Sequence, residues 1–312
     1  MMRMKQIQVS KAEWTAWKDY TSAGIESVND SFEKRRKEYP AFKNKSLELP
    51  KDGINEPLGW LSTDFQSAFR RLHPRKAITN AAITQIPDGL SGDWMNADFF
   101  LCLANPRASV GEDQMPYDEE TWHLIKSNGA ANPLAAESGQ PKPGYYTTHY
   151  LKKIHEKVQQ MGTPKVLDRL PLCKIDLVPY RSATFGEVQL TPEAMATLPE
   201  VTYGLNVILE RIFRHLALGG TAPIFAMRSL PTWRATLSSY LTLLSGKEEA
   251  PLPASVRQLL INDNAAVAVK SLLDPYVWRF SNNRSAYVSS RNTKPLIGEA
   301  SFETLLQCAV GN

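Results

Sequence analysis

FLCLANPRAS, residues 100–109, decides the reading of the fold. Phe100 to Asn105 is a short, apolar run, as expected of a strand buried on both faces. Asn105 and Pro106 then signal a turn. Arg107 is surplus to a turn, and it stands where ligands commonly bind. Three later stretches repeat the pattern of an apolar run with a polar end. They are LCKIDLVPY (172–180), TAPIFAMRS (221–229) and SAYVSSRN (285–292). Helical patterns separate them. Alternation of this kind predicts an α/β fold, with a central, mainly parallel four-stranded sheet between two helical layers.

The clearest helix lies in TLPEVTYGLNVILERIFRHLALGG. Val201, Leu205, Ile208, Ile212 and Leu216 form its stripe, Glu210 and Arg214 pair at i,i+4, and Gly219 stops it. A second helical region covers 251–274. Residues 1–90 read as a helical N-terminal extension, with 91–312 as the α/β domain. In SKAEWTAWKDY, Ser10 and Glu13 have capping-box spacing. Residues 40–59 read as a surface loop. In WLSTDFQSAFRRL (60–72), Leu61, Phe65, Ala68, Phe69 and Leu72 share one helical stripe. Residues 110–150, rich in Gly, Pro and Asn, fit no element and read as a long insertion that is either a lid or binding loop, or else disordered.

With 312 residues, 43% of them hydrophobic, the chain is long and apolar enough for a sizeable core. No stretch approaches the roughly 18 consecutive apolar residues of a membrane span. The opening MMRMKQIQVSKAEW has no secretory apolar core, so a cytoplasmic location is expected. Cys102, Cys173 and Cys308 are widely separated and form no CxxC pair, against a zinc ribbon or iron–sulfur cluster. No phosphate loop, dinucleotide fingerprint, HExxH or GxSxG is present, and the five histidines are scattered. His215, beside an apolar stripe, reads as structural. No cofactor or metal is expected, and a monomer is.

The net charge of +4 is unevenly placed. Residues 1–80 hold 15 Lys+Arg against 10 Asp+Glu, and the rest hold 21 against 22. EKRRKE (33–38) and RRLHPRK (70–76) carry much of the excess. Such runs are either solvated helix faces or contacts with an anionic partner.

In a parallel α/β sheet, ligands bind beyond the carboxyl ends of the strands. The first expected strand delivers Asn105, Pro106, Arg107 and Ser109 there, and the second Tyr180, Arg181 and Ser182. The third delivers Arg228 and Ser229, and the fourth Ser289, Ser290, Arg291 and Asn292. Arginine's planar fork suits phosphate. Four arginines on one edge point to a phosphate-rich ligand. The plainer alternative is that each arginine caps a helix or forms a surface ion pair.

GDWMNADFFLCLANPRAS resembles the first motif of the uracil-DNA glycosylase superfamily, with Asn105 and Pro106 at its Asp/Asn-Pro positions. IDLVPYRS and IFAMRSLPTW resemble its second and third motifs. YVSSRNTKP sits where the superfamily carries its DNA-inserting loop. The resemblance covers roughly residues 90–310 and extends to bacterial antiphage (Brig-type) DNA glycosylases. It implies hydrolysis of the N-glycosidic bond of a flipped-out modified base in DNA, leaving an abasic site. A glucosylated 5-hydroxymethylcytosine of viral DNA is the substrate implied. Asn105 would position the water, Pro106 shape the loop, and Arg107 grip phosphate or base. Arg181, Ser182, Arg228, Ser229, Ser289, Ser290 and Arg291 would hold DNA. Arg107 and Ala108 replace the aromatic and histidine of the uracil-specific enzymes, so uracil specificity does not carry over. The fourth motif lacks histidine, which leaves its transition-state role to Arg291, to Asn292 or to nothing. Tyr117, Tyr145, Tyr146 and Tyr180 are candidate substrate contacts, since aromatic faces stack on bases and sugars. Alternatives are an inactive DNA-binding module of the same fold, a uracil or damaged-base repair glycosylase, and an enzyme acting on a small phosphorylated nucleoside or sugar.

Overall fold

The computed structural model describes residues 7–38, 59–79, 82, 87–106, 150–160, 171–182, 184–281 and 287–311. Its strands are β1 (Leu90–Ser91), β2 (Phe99–Leu103), β3 (Leu172–Asp176), β4 (Ile224–Met227), β5 (Val277–Phe280) and β6 (Thr293–Pro295). Its helices are α1 (Lys11–Glu38), α2 (Thr63–Leu72), α3 (Lys152–Gln160), α4 (Pro192–Met195), α5 (Pro199–Leu218), α6 (Leu230–Ser245), α7 (Ala254–Asn262), α8 (Ala265–Leu273) and α9 (Phe302–Val310). The sheet order is β1-β3-β2-β4-β5-β6. The four central strands are parallel, and β1 and β6 close the two edges antiparallel. The sheet is therefore six-stranded and mixed, wider than the four strands expected.

Strand alternation sorts the apolar side chains onto two faces. Phe100, Cys102, Cys173, Ile175, Phe225 and Met227 enter one core, with α1, α2, α5, α6 and α8. Phe99, Leu101, Leu103, Leu172, Ile224 and Ala226 enter the other, with α3 and α9. Helices thus flank both faces. Helix α5 approaches β3 so closely that a Cβ on Gly204 would stand 2.9 Å from Ile175 Cγ2. Only glycine lets helix and strand meet there.

Helix α1 shares the larger core. Trp17, Thr21, Ile25, Val28 and Phe32 recur every three or four residues and are buried. Trp17 packs edge-on against Phe213 of α5 at 5.4 Å, and its indole N–H donates to the Asn206 carbonyl at 3.1 Å. The capping box forms as expected. The Glu13 amide donates to Ser10 Oγ at 3.2 Å, and the Ser10 amide donates to Glu13 Oε2 at 2.8 Å. Ser62 caps α2 by accepting from the Phe65 amide at 3.0 Å.

Several expectations need correction. The fourth parallel strand is Val277–Phe280, not 285–292. Residues 289–293 form a turn, in which the Asn292 and Thr293 amides both donate to the Ser289 carbonyl. The helical region 251–274 is two helices, because Asn264 caps α8 by accepting from the Val267 amide at 3.0 Å. Glu210 and Arg214 do not bond to each other. Glu210 accepts from the Trp14 indole at 2.8 Å, while Arg214 donates to the Met95 carbonyl. Gly219 does end α5, at φ 72°. His215 rests edge-on against Tyr276. Almost all of the expected 40–59 loop and 110–150 insertion lies outside the described residues. No helix of the described residues is long and apolar enough to cross a membrane.

Candidate functional site

The first central strand in the chain, β2, has β3 on one side and β4 on the other. The chain reverses direction across the sheet at this point, so a crevice opens between β2 and β4 beyond their carboxyl ends. Asn105 follows β2 and Arg228 follows β4 at that crevice. Ser281 follows β5, two strand positions from β2, or about 10 Å.

Asn105 is half-buried and held in one orientation. Its Nδ2 donates to the Pro106 carbonyl and to Ser182 Oγ, each at 2.9 Å. Both amide hydrogens are committed, so Oδ1 is the part left to accept. Ser182 is buried, and its hydroxyl donates in turn to the Thr184 carbonyl at 2.7 Å, while its amide donates to the Pro106 carbonyl. Two loops are thereby sewn together around one side-chain amide.

The turn from β4 into α6 is two residues long. Ser229 adopts a left-handed conformation, φ 54° and ψ 39°, the one non-glycine residue among those described with positive φ. Such a conformation costs about 1 kcal/mol or more and persists only where the surroundings impose it. Arg228 is half-buried, with its guanidinium bonded to the Tyr150 hydroxyl and lying 5.7 Å over that ring. Beyond β5, Lys152, Lys153, Ser281, Tyr287, Ser289, Arg291 and Asn292 line an open cleft of about 520 Å³. Three of these carry positive charge, and Lys153 is paired with Glu156 at 2.6 Å.

Not every expected residue reaches this edge. Tyr180 is fully buried, packs on Phe65 at 4.6 Å, and donates its hydroxyl to Glu200 at 2.9 Å. The expected substrate contact by Tyr180 is corrected to a core position. Asn292 is buried and its Nδ2 donates to the Tyr287 carbonyl at 2.8 Å, so that amide helps shape the loop that lines the cleft. Ser290 and Arg291 are exposed. Arg107, Tyr117, Tyr145 and Tyr146 lie outside the described residues.

A buried charge cluster under the β3 loop went unread in the sequence. Lys174 is 1% exposed and lies 2.7 Å from both Asp88 and Asp176. Arg181 reaches Asp88 at 3.4 Å. Burial works to raise Asp88, but Lys174 and Arg181 outweigh it and hold that carboxyl at about 2. Burial raises Asp176 too, and Lys174 offsets only part, leaving it at about 6. One carboxylate has two cations, while the other shares one and keeps Oδ1 buried without a partner. Arg181, expected on DNA, is thus tied to this cluster. The signal was available: Lys174 and Asp176 alternate with apolar residues in a strand that is otherwise hydrophobic.

Burial pushes the Cys102 and Cys173 thiols well up and Cys308 up to about 12, so none supplies a thiolate nucleophile near neutral pH. Among the described residues no group of three or more His, Cys, Asp or Glu is placed to hold a metal ion. Comparison with protein-family models, with curated proteins and with solved structures finds no match to this chain.

Proposed function

We propose that this protein is a DNA glycosylase of the uracil-DNA glycosylase type, hydrolysing the N-glycosidic bond of a modified base. The observation that carries the reading is Asn105: a side-chain amide fixed at the sheet's switch point with its oxygen left to accept. Asn105 Oδ1 takes a hydrogen bond from a water and aims its oxygen at the anomeric carbon. The bond from that carbon to the base nitrogen breaks, and its electron pair leaves with the base. The water's oxygen forms the new bond and yields a proton to solvent or to the departing base. An amide does not take that proton, so its contribution is position, not basicity. Arg228, Arg291 and the lysines of the cleft supply the contacts that hold DNA phosphates, whose charge stabilises the cationic sugar. Flipping the nucleotide out costs a few kcal/mol, which these contacts offset.

A glucosylated hydroxymethylcytosine suits the absence of the uracil-selecting aromatic after Pro106. The decisive experiment incubates the protein with duplexes carrying different modified bases and reads abasic sites by alkaline cleavage. Strand cleavage at one modified base supports the proposal; DNA binding without cleavage across the panel supports an inactive DNA-binding module instead. One observation favours that second reading. The described residues that follow the four parallel strands, 104–106, 177–182, 228–229 and 281, include no carboxylate and no histidine.

A further inference from the structure

We infer that the basic strip 70–76, where α2 ends, is a second contact with the DNA backbone, beside the flipped-nucleotide site rather than in it; this rests on the glycosylase reading above. RRLHPRK holds four permanent cations and a histidine and no carboxylate. Arg70 and Arg71 lie in the last turn of α2, where cations complement the helix dipole, and that alone would account for them. It does not account for Arg75 and Lys76, which lie beyond the helix.

The strip is folded back toward the candidate site. Helix α2 starts against the loop that follows β3, since the Ser62 amide donates to the Tyr180 hydroxyl. After the helix, Lys76 Nζ donates to the Gly186 carbonyl at 2.7 Å, and His73 Nε2 lies 3.3 Å from the Gln189 carbonyl. Gly186 is four residues past Ser182, the residue that holds Asn105. Four residues span at most about 14 Å. Arg71, Arg75 and Lys76 are exposed. Asp64 and Glu193 border the same groove as Arg71, and neither forms an ion pair with it. Arg71, Arg75 and Lys76, exposed and without a carboxylate partner among the described residues, stand beside a site that must hold a polyanion and fit the phosphates flanking the target.

The test needs no knowledge of the excised base. Binding of the full chain to unmodified duplexes of about 8 and about 20 base pairs is measured by fluorescence anisotropy over a salt series. The Arg71→Ala/Arg75→Ala variant is expected to lower the slope of log affinity against log salt by about 2 on the long duplex, leaving the short one unchanged. The single variant Arg75→Glu, with its fold checked by circular dichroism, should weaken long-duplex binding more than Arg75→Ala. Equal slopes for variant and wild type overturn the strip and leave the glycosylase reading standing. Equal loss on both duplexes also overturns it, because the strip then belongs to the main site. A wild type that binds neither duplex overturns the strip and the glycosylase reading together.

Discussion

At the scale of single residues, the site depends on one hydrogen bond as much as on the residue that makes it. Ser182 fixes the Asn105 amide from the neighbouring loop. Ser182→Ala frees that amide to rotate, so base release should fall by roughly ten- to a hundredfold while DNA affinity is kept. Single-turnover excision and equilibrium binding measured on the same variant check this, and equal losses in both would assign Ser182 to DNA binding. The buried acid pair sets a pH dependence of stability. Asp176 holds its proton in the folded chain up to about pH 6. The unfolded chain releases it near pH 3.9. Between those values the unfolded state binds fewer protons, so stability falls as pH rises from about 4 to 6, then levels. Asp88, held at about 2, acts in the opposite sense, losing its contribution as pH falls from about 4 towards 2. Glu210, raised by burial, likewise lowers stability as pH rises past the ordinary carboxylate range. Urea unfolding across this range should therefore show a shallower slope in Asp176→Asn than in the wild type. Unaltered slopes would place the titration elsewhere.

Elements were legible where periodicity had room to show. β2, β3 and β4 announce themselves as apolar runs with polar ends, and α5, twenty residues long, has room for a clear stripe. The fourth parallel strand was misplaced because Val277–Phe280 is four residues long and follows a helix directly, so it reads as that helix's tail. Tyr287 and Val288 gave a stronger β signal, yet the Ser289 carbonyl gathers the next amides into a turn. α3 and α9 are nine residues each, too short for a clear stripe, and they form the second helical layer. Of the site, the Asn105 turn and Arg228 were visible because their residue types mark strand ends. Lys152 and Lys153 were not, since surface lysines carry no pattern. The closeness of α5 to β3 is an element-scale constraint that Gly204 satisfies. Gly204→Ala should cost about 1–3 kcal/mol by forcing the helix from the strand. In an Ile175→Ala background the same change should cost less, as a double-mutant cycle on unfolding free energies would read.

Across the whole molecule, the N-terminal helix belongs to the fold. Trp17 and Phe32 lie in the same buried cluster as the sheet's Phe100 and Phe225. The wild type should therefore unfold in one calorimetric transition, and a chain lacking residues 1–38 should lose that transition rather than shift it slightly. Two resolved transitions would show that the helix folds apart from the sheet. The three free cysteines sit at graded depths: Cys102 and Cys173 are fully buried in adjacent strands, while Cys308, 9% exposed, lies on α9 and bonds the Asp98 carbonyl. They make the chain its own clock for opening. Given a thiol-reactive label under native conditions and mass spectrometry of the peptides, Cys308 should react first, through local detachment of α9. Cys102 and Cys173 should react later and at one shared rate, the rate at which the sheet itself comes apart.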